Sequence, residues 1–120
     1  MNLSEIIELV NGTVLNPEVD TNVKIRGGCG ADLMSDVLAS SQPKAVLLTG
    51  LTNPQVVRTA QIAEIRAIVL VRGKQPQAET LTIATQENIP LITSPFGMFE
   101  LCGRLHRAGL PSFESHVPTS

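Results

Sequence analysis

AVLLTGLTNP, residues 45–54, is the stretch whose reading decides the fold. Ala45, Val46, Leu47, Leu48 and Thr49 can all be buried and run into a glycine turn at Gly50. An aliphatic run of that length, bounded by turn signals, reads as a central strand of a parallel sheet. Asn53 fits the N-cap of a following helix and Pro54 its first position, where a missing N–H costs nothing. Thr49, Gly50, Leu51, Thr52 and Asn53 then lie between the carboxyl end of a strand and the amino end of a helix. Open α/β sheets bind ligands at that edge, where helix amides point outward and a reversal of strand order leaves a crevice. These residues are the first candidate ligand contacts.

Moving outward toward the C-terminus, Pro54 to Ile65 reads as a helix with Val56, Ala60 and Ala63 on one face, while Ile62 and Ile65 fall off that stripe. Ala67 to Val71 is a second continuous apolar run and a second central strand. It ends in Arg72-Gly73-Lys74, so Arg72 and Lys74 fall at the edge that carries Gly50 and suit a phosphate or carboxylate. A weaker helix, Gln77 to Glu87, and a short strand, Leu91 to Thr93, follow. The last helix, Phe96 to Ala108, carries the stripe Met98, Leu101, Cys102 and Leu105 and is stopped by Gly109. Beyond a single domain over residues 1–110, PSFESHVPTS (111–120) has no period and reads as a flexible tail.

Toward the N-terminus, RGGCGADLMSDVLASS places three glycines around Cys29, ahead of a helix with the stripe Leu33, Met34, Val37 and Leu38. Glycine permits positive φ and close backbone approach. Gly28, Cys29, Gly30 and Asp32 therefore form either a second ligand loop at a helix N-terminus or a tight turn that re-aims the chain. The spacing is that of neither GxGxxG nor a Walker A loop. Thr13–Leu15 and Val23–Arg26 are β-compatible and flank NPEVDTN, a hairpin-like loop or an exposed excursion. NLSEIIELVNG is an amphipathic helix with an Asn2/Glu5 capping-box pattern and an Asn11-Gly12 stop. Strands alternate with helices from Val23 onward, which predicts an α/β fold of three layers, α/β/α, around a mainly parallel sheet.

Composition narrows the function classes. A net charge of −2, with nine scattered Lys and Arg, argues against a phosphate-tracking nucleic-acid surface, and three Phe with no Trp or Tyr leave little to stack on bases. No apolar run approaches the roughly 20 residues of a membrane helix, and the N-terminus lacks the pattern of a secretion signal. Two distant cysteines give neither a disulfide framework nor a CxxC metal or redox pair, as expected of a cytoplasmic protein. Cys29 fits a lowered-pKa thiol at a helix N-terminus or simply a small residue in a turn, and Cys102 falls on an apolar stripe as core. Asp32 and Asp36 lie a helical turn apart and are either paired carboxylates or ordinary acids that complement a helix dipole; Arg104, His106 and Arg107 at the end of the last helix are either an anion site or, more simply, cations that complement its dipole. No nucleophile–base–orienter set is present, and no metal site or cofactor is expected.

GADLMSDVLA, LLTGLTNPQVVRTAQI, a strand ending in RGK, and a helix followed by IPLITS together resemble the DRTGG domain family over roughly Leu3 to Gly109. The resemblance implies a fold similar to the N-terminal domain of HPr kinase/phosphorylase and a role as an accessory or regulatory module without catalysis of its own. The Thr-Gly-Gly of the family corresponds here to Thr49, Gly50 and Leu51, with the second glycine lost. GGCGAD occupies the region of the Asp-Arg element, and Asp32 is its nearest acid.

The expected function is a stand-alone, non-enzymatic regulatory or ligand-binding module. Its ligand would be a nucleotide or other small anion at the strand carboxyl edge. The amides of Gly28, Gly30, Gly50 and Leu51 would face one crevice, with Arg72 or Lys74 supplying charge. The alternatives are a protein-assembly adapter without ligand and a thiol or phosphate-ligand enzyme using Cys29. Ile62, Ile65, Phe96 and Phe99 exceed what a thin domain covers, which predicts a homodimer.

Overall fold

The computed structural model describes residues 1–118. Ten elements follow one another as α1 (Leu3–Leu9), β1 (Thr13–Val14), β2 (Gly27–Gly30), α2 (Met34–Ser40), β3 (Ala45–Thr49), α3 (Gln55–Ile62), β4 (Ala67–Leu70), α4 (Ala78–Gln86), β5 (Leu91–Thr93) and α5 (Met98–Arg107). The strands form one sheet in the order β1-β5-β4-β3-β2. β2 to β5 are parallel, with Leu47 opposite Cys29 and Ile68, and only β1 is antiparallel.

The continuous aliphatic runs are explained by burial on both faces. In β3, Val46 and Leu48 join a core with Leu3, Ile6, Leu101 and Leu105, which places α1 and α5 on one face. Ala45 and Leu47 join a core with Val37, Val56, Ala60 and Ala84, which places α2, α3 and α4 on the other. The result is the expected three-layer α/β/α arrangement. β2, β3, β4 and β5 are successive neighbours, so each crossover steps the same way and its helix lands on the same face. Strand order does not reverse among them, and the crevice that a reversal would open is absent from this edge.

Local chemistry sets the boundaries. The Asn2 N–H donates to Glu5 Oε1 (3.2 Å) at the start of α1, and Asn11 takes the left-handed conformation (φ 52°) at its end. Asn53 Oδ1 accepts the Gln55 N–H (3.0 Å) and Pro54 has helical angles (φ −61°, ψ −23°), so the cap of α3 is the one expected. Gly109 ends α5 at φ 103°.

Several local expectations give way to tertiary contacts. Val23–Arg26 is not a strand: it contributes a single bridge, Lys24 to Asn2, and the strand lies in Gly27–Gly30. NPEVDTN is not a free excursion. Asn16 is buried, donates Nδ2–H to Ile89 O (2.9 Å) and accepts the Leu91 N–H (2.8 Å), which extends the β1–β5 pairing. The α2 stripe is half covered, with Val37 buried but Leu33 and Leu38 exposed. Ile65 is buried under α3, and Phe96 packs against the first core beneath the Arg104 guanidinium, 4.0 Å from its ring centre. Of the apolar excess expected to need a partner, Ile62 and Phe99 stay exposed.

The segment after Gly109, which reads as a tail without period, runs along the open edge of β2. Gly28 N–H donates to Pro111 O (2.9 Å) and Phe113 N–H donates to Gly28 O (2.9 Å). Gly30 N–H donates to Glu114 Oε2 (2.8 Å), and the Ser115 hydroxyl donates to Ser40 O (3.3 Å). These bonds cover a strand edge that would otherwise be open.

Candidate functional site

Because β2 to β5 are parallel, the segments that leave their carboxyl ends gather at one edge. Asp32, just past β2, reaches across to the loop after β3. Its Oδ1 accepts the Gly50 N–H at 2.7 Å and the Thr49 hydroxyl at 3.2 Å, while Thr49 Oγ1 accepts the Leu51 N–H at 3.2 Å. Thr49 is buried and Asp32 exposed, so the carboxylate caps the loop from the solvent side. Thr52 O accepts the Gln77 N–H (3.1 Å) and the Thr80 hydroxyl (2.8 Å), which ties the same loop to α4.

The segment after β4 brings the cations. A Cβ on Gly50 would lie 3.4 Å from Asp32 Oδ1 and 3.7 Å from Lys74 Cε, so the carboxylate and the lysine flank the glycine. Arg72 has φ 57° and Gly73 φ 66°. That turn is held by the Arg72 N–H donating to Phe96 O (2.8 Å), the Gly73 N–H donating to Ser94 O (2.6 Å) and the Thr93 hydroxyl donating to Lys74 O (2.9 Å). Arg72 Cγ is 3.7 Å from the place a Cβ on Gly97, the N-cap of α5, would take. Asp32, Thr49, Gly50, Leu51, Thr52, Asn53, Arg72 and Lys74 are thus gathered at one edge. Ser94, Phe96 and Gly97 complete it; the turn SPFG was legible as a helix start but carried no sign that it holds Arg72.

Gly28, Cys29 and Gly30 do not form a loop at a helix N-terminus. They are strand β2, and none of Gly27, Gly28 and Gly30 has positive φ. Their missing side chains serve packing instead: a Cβ on Gly27 would sit 2.2 Å from the Phe113 ring, one on Gly28 3.3 Å from Leu110, and one on Gly30 3.2 Å from Cys102 Sγ and Met98 Sδ. The expected cluster of free amides is also not what folds. Gly28 is bonded to Pro111, Gly30 to Glu114, Gly50 to Asp32 and Leu51 to Thr49. None of these four amides is left free for an anion, whereas the side chains of Arg72 and Lys74 remain exposed at this edge.

The Cys29 thiol is not activated. Burial, then the neighbouring Glu114 carboxylate, push its pKa up to about 11, the reverse of the lowering that a helix N-terminus would cause. Cys102 is not core: the residue is exposed, although its sulfur turns toward Gly30, and burial followed by Glu114 raises its pKa as well. Among the described residues no three His, Cys, Asp or Glu side chains cluster as metal ligands, and no helix is long and apolar enough to cross a membrane.

No family model matches this chain, and no curated protein matches it. Among solved structures it is similar to the CBS and DRTGG domains of the regulatory region of Clostridium perfringens pyrophosphatase complexed with its activator, diadenosine tetraphosphate. The TM-score is 0.64 at 14% sequence identity, and the match covers 95% of this chain and 50% of that one. The chain therefore spans about half the length of that solved regulatory region. The likeness is one of fold: the architecture is DRTGG-like, as the resemblance implied, and it occurs there in a regulatory region.

Proposed function

We propose that this chain is a non-catalytic, cytoplasmic regulatory module that works as a homodimer and binds a phosphate-bearing small molecule, foremost a nucleotide, at the carboxyl edge of its sheet. The observation that carries the reading is the two exposed cations of the segment after β4, Lys74 beside Gly50 and Arg72 beside Gly97. Neither forms an ion pair with a described residue, and Arg72 is held in a left-handed conformation by its bond to Phe96. The fold's occurrence in a regulatory region crystallised with a nucleotide activator supports the same class of ligand. Phosphate oxygens would take the place of water on Arg72 and Lys74, with Arg72 able to offer two parallel N–H donors. Asp32 holds the Gly50 amide and fixes the loop rather than contacting the anion.

A reading in which Cys29 acts as a nucleophile is disfavoured by its raised pKa, since the thiolate is the reactive form. The test is a thermal-shift screen of inorganic phosphate, mono- and polyphosphate nucleotides and dinucleoside polyphosphates. A ligand at one hundred times its Kd stabilises the folded state by about 2.7 kcal/mol, which raises the midpoint by several degrees in a domain of this size. No shift with any phosphate-bearing compound at millimolar concentration would overturn the proposal.

A further inference from the structure

The outer face of α5 pairs an exposed knob with a hole, and we infer that this face is where two copies of the chain meet. The inference rests on the dimeric reading above and names its surface. Phe99 is 94% exposed. Beside it, between β2, α5 and the segment that follows α5, lies a cavity of about 390 Å³ with a largely apolar lining that includes Gly30, Leu48, Cys102, Gly103, Leu105 and Leu110. Phe99 stands at the rim of this cavity without filling it, and an aromatic side chain from a second copy fits the space. A surface that carries both a knob and the hole to receive it is self-complementary, as a two-fold interface requires.

Gly103 marks the axis. It sits in the interior of α5, where glycine weakens a helix, and nothing in this chain requires it: φ is not positive, and a Cβ there would meet no atom within 4 Å. Phe99, Gly103 and His106 are spaced four and three residues apart and so share one face. Glycine at the crossing lets two helix backbones approach closely.

Charge fixes the direction. The first turn of α5 carries Glu100, and its last turn carries Arg104, His106 and Arg107. An antiparallel pair crossing at Gly103 sets the acidic first turn of each copy against the basic last turn of the other, with Phe99 opposite Arg107. A parallel pair would set basic ends together. Arg104 is already engaged with Glu100 at 2.8 Å and stacked on Phe96, whereas Arg107 forms no ion pair with a described residue and is available to the ring. Seating two aromatic side chains removes about 150–250 Å² of surface from water for each.

The experiment is light scattering after size-exclusion chromatography at tens of micromolar, on the wild type, Phe99→Asp, Gly103→Leu and Ile62→Asp, with circular dichroism to establish folding. The wild type and Ile62→Asp are expected at twice 12.8 kDa. Phe99→Asp and Gly103→Leu are expected as monomers, with dimer affinity reduced at least tenfold. A wild-type monomer under these conditions would overturn the dimeric reading and this surface together. A wild-type dimer that survives both α5 substitutions, or that dissociates only with Ile62→Asp, would overturn the surface and leave the dimer standing. Should Phe99→Asp fail to fold, Gly103→Leu alone decides between these outcomes, because a Cβ at that position meets no atom within 4 Å in the monomer.

Discussion

Two glycine-bearing stretches, Gly27–Gly30 and Gly50–Asn53, look alike in sequence as ligand loops and differ in kind once folded. The second is a loop at the carboxyl edge, braced by Asp32 and flanked by Lys74. The first is an edge strand whose glycines are spaces for Phe113, Leu110, Met98 and Cys102. Neither uses positive φ at these positions, since the left-handed glycines are Gly73 and Gly109. The comparison teaches that a glycine cluster can report close packing as readily as backbone freedom, and that only the neighbours of the missing Cβ tell which.

The strongest way to break the comparison is Gly27→Ala. The new Cβ would meet the Phe113 ring at 2.2–2.6 Å, so either the ring or the whole edge segment must leave. The expected loss is about 1–3 kcal/mol by urea denaturation, with faster proteolysis after Gly109. Adding Phe113→Ala should return part of that loss, and wild-type stability in Gly27→Ala alone would contradict the packing role. Asp32→Ala comes next, because it removes the acceptor of the Gly50 N–H and the Thr49 hydroxyl. Water can replace part of it at this exposed position, so a loss of about 1 kcal/mol is expected, and Asp32→Asn should lose less. The smallest effect on stability is expected at Gly50→Ala, within about 0.5 kcal/mol, because the added Cβ finds ordinary contacts at 3.4–3.7 Å. Gly50→Val should likewise keep the circular dichroism spectrum while reducing the nucleotide thermal shift, because its branched side chain crowds Lys74. Unfolding of either Gly50 variant would show that the loop does not tolerate a side chain at this position.

The legibility of the chain follows the same division. β3, β4, α3 and α5 could be read because their signals are local: unbroken aliphatic runs, Asn53-Pro54 at a helix start, Gly109 at a stop. β2 could not, since glycine is a poor strand former and GGCG becomes a strand only through β3 on one side and Pro111–Phe113 on the other. The same long-range contacts hid the edge segment and the burial of Asn16. Cys102 was misplaced because it lies at the rim of the apolar stripe, where a cavity opens instead of core. In the site, strand-end position alone was enough to bring Thr49–Asn53, Arg72 and Lys74 together. That the amides would be taken by Asp32, Thr49, Glu114 and Pro111 depends on side-chain geometry that spacing does not encode.

The central claim is that two side-chain cations, not the loop amides, receive an anionic ligand. Isothermal titration of the nucleotide that gives the largest thermal shift tests it directly, comparing the wild type with Arg72→Gly/Lys74→Ala. Glycine suits the left-handed backbone at Arg72, so the variant loses charge without gaining strain. Two charge-assisted contacts of roughly 1.5–3 kcal/mol each predict an affinity at least a hundredfold weaker in the variant, at unchanged fold. Equal affinity in the two proteins would contradict the account and put the ligand elsewhere on the molecule.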